Sequence, residues 1–403
     1  MRLPITTPRG LPTLAERYSP RQNAFGALRL AFAVAVLVAH AWSLGYGKAS
    51  PGYWLTSTQT ELGAFALYGF FLISGFLVTD SALRSSLAGY LWARCVRVFP
   101  GLWACLLVTA FVFAPAVALY ERGTLDGFAN APDGPLRYVA VNWLGSMDQY
   151  TISGLLSTTP FGRLVHGPSA FDGALWTLRY DLAFYGVVAV LVVTGALRGA
   201  PRVVPVLAAG CYVLILRDLF STPGWTVRPP AHGSIHVPLA GSFAADWTLY
   251  LGFVFLLGVA LRLYAHRIPV HAAVAAAAAV VLAGSLWLGG FIAVGIPAYA
   301  YLVVYAAVTL PSSRTAGRRD YTYGMYIYGF PVQQSLALLG ANRFGVAAFI
   351  AFSLLGTLGF AVLSWHLVER PALRWKQRRA VSGQLVPARE PDQPHAGEAV
   401  ATR

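Results

Sequence analysis

Residues 24–46 read AFGALRLAFAVAVLVAHAWSLGY, a run interrupted by one arginine, Arg29, and one histidine, His40. At 1.5 Å rise per residue, about 20 mainly apolar residues cross the roughly 30 Å hydrocarbon layer, so this stretch predicts a membrane-spanning helix. Working outward with the same criterion gives nine more windows, at about 64–81, 98–119, 174–196, 203–219, 247–265, 269–288, 291–311, 322–340 and 344–368. The weakest of them, 203–219, ends in Arg217 and Asp218. Only Gly289 and Gly290 separate the windows at 269–288 and 291–311, which predicts a tight helical hairpin. The expected fold is all-α, a polytopic membrane protein with about ten transmembrane helices.

Composition agrees with that reading. Of 403 residues, 57% are hydrophobic and 11% charged, too few polar side chains to cover a soluble enzyme. The net charge of +14 resolves into a topology signal rather than a nucleic-acid surface. With the N-terminus inside, 21 of the 30 Lys and Arg fall on the cytoplasmic side, which predicts an even number of spans, both termini cytoplasmic and insertion in the plasma (inner) membrane. Ala39-His40-Ala41 mimics a signal-peptidase site, but Arg29 inside the apolar run and the long preceding segment favour an uncleaved span. Lys48 and Lys376 are the two lysines, so no phosphate-loop motif exists and a nucleotide-hydrolysing pump is excluded. Cys95, Cys105 and Cys211 are scattered, without disulfide or metal spacing, and read as packing residues. The alanine run at 272–279 also reads as helix packing. Residues 120–172 form the largest outer loop, suited to a polar lid or acceptor surface, and 220–246 a smaller one. Residues 1–22 read as a cytoplasmic tail and 376–403, rich in Arg, Glu, Pro and Gln, as a disordered one.

Ionisable groups inside a bilayer cost about 2.5–3.5 kcal/mol each at a helix centre and call for a partner or a function. Arg29 and His40 are eleven positions apart, three turns plus about 20°, and so share one helix face about 16 Å apart in depth. The fourth window carries Trp176-Thr177-Leu178-Arg179-Tyr180-Asp181, then Phe184 and Tyr185. Counting residues from the outer boundary puts Asp181 level with His40, the pairing that a general base needs; a structural His or Asp satisfied by Arg29, Arg179 or a carbonyl is the other reading. Arg94 and Arg97, at i and i+3, are either a phosphate clamp or a positive-inside anchor. Glu369-Arg370-Pro371 reads as a helix stop, and Phe70 to Phe76 as a helix with a small-residue seam at Ser74 and Gly75.

Taken in order, Arg29 to His40, Phe71 to Phe76, Arg94 to Pro100, Trp176 to Tyr185, Tyr323-Gly324-Met325-Tyr326-Ile327-Tyr328 and Glu369-Arg370-Pro371 resemble the acyltransferase 3 family of integral-membrane O-acyltransferases. The resemblance spans about residues 22–375, making 23–375 an acyltransferase 3-like transmembrane domain. It implies transfer of an acyl group, typically acetyl, from acyl-coenzyme A to a hydroxyl of a surface or exported carbohydrate or glycoside. No permanently bound cofactor, no metal and no nucleic acid are implied; acetyl-coenzyme A is a co-substrate and the bilayer a partner. The family's Arg, ten residues, His motif falls on Arg29 and His40, and its Arg-x-x-Arg motif on Arg94 and Arg97. Where relatives commonly carry Glu this chain has Asp181.

The expected mechanism places donor phosphates on Arg94, Arg97 and Arg29, with His40 as general base and Asp181 as its orienting acid. Arg179, Tyr185 or Ser74 are the candidates for oxyanion or acceptor contacts. Direct transfer, an acyl-histidine and a Ser74 nucleophile all fit the residues. The competing class is a transporter using His40 and Asp181 as a proton or substrate site, which would move substrate without consuming a thioester.

Overall fold

In the computed structural model, residues 10–53, 56, 59–221, 232–311 and 320–375 are described. All ten expected windows are helices there. They are α1 (Phe25–Tyr46), α2 (Leu62–Arg84), α3 (Leu87–Arg122), α4 (Ala174–Val193), α5 (Val203–Ser221), α6 (Ala245–Leu263), α7 (Ala272–Leu288), α8 (Phe291–Thr309), α9 (Thr322–Leu338) and α10 (Val346–Trp375). Eight are long and apolar enough to cross a membrane; α7 and α9, 17 residues each, are shorter. The protein is a multi-pass membrane protein.

Local sequence sets the ends. α1 stops at Gly47, whose φ of 62° is the left-handed conformation that glycine adopts without a Cβ clash. Gly289 and Gly290, at φ 107° and 82°, turn α7 into α8 as the sequence predicts. That turn is tied to the chain before α2, because Gln59 accepts the Phe291 N–H at 2.8 Å and donates to the Ser285 carbonyl at 3.1 Å.

The seam in α2 is real. A Cβ on Gly75 would lie 2.1 Å from the Phe255 carbonyl oxygen of α6, and one on Gly258 equally close to the Leu72 carbonyl oxygen of α2. Backbone therefore meets backbone, the close approach that small residues permit between membrane helices. Below this contact Asp80, almost fully buried, gathers Arg84, Arg262 at 2.8 Å and the Tyr18 hydroxyl at 3.1 Å. Residues 10–22 are thus packed on the bundle rather than trailing from it; Leu14 is fully buried and its N–H donates to the Ile268 carbonyl at 2.8 Å. The expected tail at 376–403 lies outside the described residues.

Three expectations change. The third helix begins at Leu87, eleven residues before the apolar window, so Arg94 and Arg97 ride on a helix that is amphipathic there. The α7 alanine run is not packing: only Ala275 within it is buried, and its other faces are open to the surroundings. An all-apolar helix satisfies lipid and protein alike, so composition alone could not separate the two. Glu369-Arg370-Pro371 does not end α10, which runs on to Trp375 after a wide turn at Trp365–Glu369.

The loop between α3 and α4 is a folded cap. Asn142 donates to the Gln149 carbonyl at 2.7 Å and accepts the Asp148 N–H at 2.9 Å, while Arg137 bonds Gln149 at 2.8 Å. Trp103 of α3 stacks on Trp143 with ring centroids 4.7 Å apart. The smaller loop contributes a hairpin, β1 (Ser234–Val237) antiparallel to β2 (Gly241–Ala244), with Ser234 opposite Ala244.

Candidate active site

Six of the eight side chains singled out in the sequence surround one cavity. Arg29 from α1, Ser74 from α2, Arg94 and Arg97 from α3, and Asp181 and Tyr185 from α4 line a space of about 130 Å³. It lies towards the end of the bundle where α1 begins and α2 ends. His40, near the far end of α1, opens instead on a second cavity of about 380 Å³, with Lys48, Glu61, Trp176, Trp247 and Leu164. We call them the arginine cavity and the histidine cavity.

The three arginines differ in how they are held. Arg97 pairs with Asp320 at 2.7 Å and with the buried Glu369 at 3.4 Å, and Arg29 reaches the same Asp320 oxygen at 3.4 Å. Burial pushes the Asp320 carboxyl up, but Arg97 and Arg29 outweigh it and hold the group below the usual carboxylate range. Arg94 forms no close ion pair among the described residues, and Asp181 is the acid that shares its cavity. Its guanidinium lies 5.7 Å from the Tyr185 ring centroid and its buried Nε finds no acceptor. Of the three, Arg94 is the cation whose charge is open to an anionic ligand.

Asp181 does not meet His40. Its two oxygens accept the Ser74 hydroxyl at 2.9 Å and the Tyr185 hydroxyl at 2.7 Å, and it faces the arginine cavity. Ala174–Thr177 is a 3₁₀ turn, whose rise of about 2.0 Å per residue sets Asp181 only about 2 Å deeper than an α-helical count; matching depth does not fix which way a side chain faces, and Asp181 faces the arginine cavity. The imidazole of His40 instead meets the Phe330 ring, edge to face, at 5.4 Å.

Arg179 lines neither cavity. Buried at the cap, it donates to the Ser242 carbonyl at 2.6 Å, the Met147 carbonyl at 3.0 Å and the Tyr150 hydroxyl at 2.8 Å. It fastens both outer loops to α4, and an oxyanion role is out of its reach.

Several residues escaped the sequence reading. Glu61 is the one acid in the segment between α1 and α2, a signal that was available. Asp320 sat in a segment read as a cytoplasmic connection. Trp247 pairs with Trp176, ring centroids 4.9 Å apart, across 71 positions, and no local pattern announces that. Tyr326 lies in the Tyr323 to Tyr328 motif, where no neighbouring residue points to a role for it.

Nodulation protein 10 of Rhizobium leguminosarum bv. viciae is 30% identical over 381 residues, covering 89% of this chain and 95% of the relative. The O-acetyl transferase of Shigella phage Sf6 is 26% identical over 368 residues, covering 87% and 96%. No solved structure matches the chain. Residues 22–366, most of the described bundle and both cavities with it, match the acyltransferase domain, and the chain belongs to the acyltransferase 3 family as a multi-pass membrane O-acyltransferase.

Proposed function

We propose that the enzyme moves an acyl group, acetyl by preference, from acyl-coenzyme A to a hydroxyl of a carbohydrate or glycoside, with His40 as general base. One observation carries the reading: a cationic cavity and a histidine cavity meet inside the bundle from opposite ends. The arginine cavity, at about 130 Å³, is too small for a nucleotide and suits a phosphate group or a narrow acyl-bearing arm. The charged bulk of the donor stays at its mouth, with Arg94 on a phosphate and Arg97 and Arg29 held in place by Asp320. The histidine cavity supports the acceptor side. Trp176 and Trp247 offer apolar faces for a sugar ring, and Glu61 and Lys48 offer hydrogen-bonding groups for its hydroxyls.

His40 takes the acceptor proton as the hydroxyl oxygen attacks the thioester carbonyl, and returns it to the departing thiolate. Asp181 acts on the donor side, through Ser74 and Tyr185. The excess of positive charge on one side favours cytoplasmic termini, an arginine cavity facing the cytoplasm and an acceptor site facing outward.

The test compares wild-type chain and His40→Ala in proteoliposomes given acetyl-coenzyme A and membrane glycans from a deletion strain. The reading expects acceptor-dependent loss of thioester with wild type and none with the variant. Normal transfer by a correctly inserted His40→Ala protein sinks the base assignment. Substrate flux without thioester consumption points to the transporter class.

A further inference from the structure

The two cavities share three lining residues, Leu67, Thr177 and Tyr326. This wall is where a donor arm entering past the arginines and an acceptor lying beside His40 first come together. Its polar part is a short chain of hydroxyls. The Tyr326 hydroxyl has one proton and sits against the Ala174 carbonyl, which can only accept, so Tyr326 donates there. The Thr177 hydroxyl, also in contact with the Tyr326 oxygen, must then be the donor to it. Tyr326 stands on α9 one helical turn before Phe330, the ring that meets His40 edge to face at 5.4 Å, and it lines the same cavity as His40.

Resting on the donor and base reading above, we infer that Tyr326 is a catalytic residue: its hydroxyl turns from the Ala174 carbonyl to the thioester carbonyl oxygen and stabilises the oxyanion. The acceptor oxygen bonds to the carbonyl carbon and the C=O pair moves onto oxygen, where the Tyr326 O–H meets it. Collapse restores C=O and breaks the C–S bond. The thiolate takes the proton that His40 removed from the acceptor, leaving an ester and free coenzyme A. Thr177 is a positioning residue, because its hydrogen bond fixes the Tyr326 oxygen and, by polarising it, strengthens the donor. The assignment replaces the oxyanion candidates from the sequence: Arg179 is used at the cap, and Ser74 and Tyr185 spend their protons on Asp181.

The test uses the full chain in proteoliposomes, with acetyl-coenzyme A and the deletion-strain glycans as probes. Removing one oxyanion donor lowers kcat by about 10²–10³, so Tyr326→Phe is expected to lose at least about a hundredfold in kcat while its half-saturation by acetyl-coenzyme A stays at the wild-type value. Thr177→Val is expected to fall about tenfold and Thr177→Ser to recover. Wild-type kcat in Tyr326→Phe overturns the inference, as does unimpaired transfer with faster thioester hydrolysis in the absence of acceptor, which is how a mere plug would behave. Should Tyr326→Phe fail to fold, the Thr177 pair decides, and equal kcat in Val and Ser overturns the proposal. A wild-type protein that neither binds nor consumes acetyl-coenzyme A instead removes the underlying reading. Loss in His40→Ala with none in Tyr326→Phe leaves that reading standing and removes this one.

Discussion

Asp320 holds Arg97 at 2.7 Å across 223 positions of sequence, and the same carboxylate oxygen reaches Arg29 on a third helix. One acidic side chain at the start of α9 thereby ties α1, α3 and α9 together around the arginine cavity. Its carboxyl is held low in the folded protein, so it contributes stability that is present above the unfolded value of about 3.9 and is lost as pH falls towards the lower folded value. Asp320→Asn is expected to lose about 1.5–3 kcal/mol at pH 7, the range for hydrogen bonds to charged groups. The deficit should shrink below about pH 4. Thermal unfolding in detergent across that range checks it; a deficit unchanged by acid contradicts the charge pairing.

Arg94 and Arg97 are neighbours in sequence with different duties. Arg94→Ala should raise the half-saturation for acyl-coenzyme A by about 10–100-fold, as expected from losing about 1.5–3 kcal/mol of charged hydrogen bonding, with little change in melting temperature. Arg97→Ala leaves Asp320 and the buried Glu369 facing one another without their shared cation, and should lower both donor affinity and melting temperature. Equal melting temperatures for the two variants would argue that they do the same work.

Asp181 offers a cleaner discrimination through pH. Hydrogen-bonded to Ser74 and Tyr185 and set in the arginine cavity, it has no hydrogen bond to the imidazole. Asp181→Asn is therefore expected to alter donor half-saturation while the ionisation on the acid limb of kcat/KM keeps its position. A displaced acid limb, read from the pH–rate profile, would mean that the carboxylate and His40 are coupled after all.

Gly75→Val tests the fold rather than the chemistry. A side chain there meets the Phe255 carbonyl within van der Waals contact, so α2 and α6 must separate and carry Ser74 with them. Overpacking typically costs about 1–3 kcal/mol, and here no flexible side chain can yield. A lower melting temperature and an early-eluting or aggregated species on size exclusion in detergent are expected. A monodisperse, fully active variant would deny the close approach.

The helices were legible because a bilayer demands long apolar runs. What escaped had physical causes. Arg94 and Arg97 lowered the local hydropathy and hid the first eleven residues of α3. The alanine helix is equally content against lipid. Asp181 and His40 match in depth by residue count, but depth does not fix the face a side chain presents, and the two open on different cavities. Arg179, adjacent to functional-looking residues, serves the cap; Asp320 and Glu61, isolated in connecting segments, reach the two cavities only through tertiary structure.

The 36 residues of α3 amount to about 54 Å of helix against roughly 30 Å of hydrocarbon. Tilt takes up part of the excess, and the eleven residues before the apolar window, which carry the arginines, extend beyond the acyl chains. Both arginines line the arginine cavity, whose mouth then lies near headgroup depth, where lipid phosphates also lie. A soluble anionic donor has to outcompete those phosphates, so the rate of this enzyme should respond to the anionic lipid content of the membrane that surrounds it.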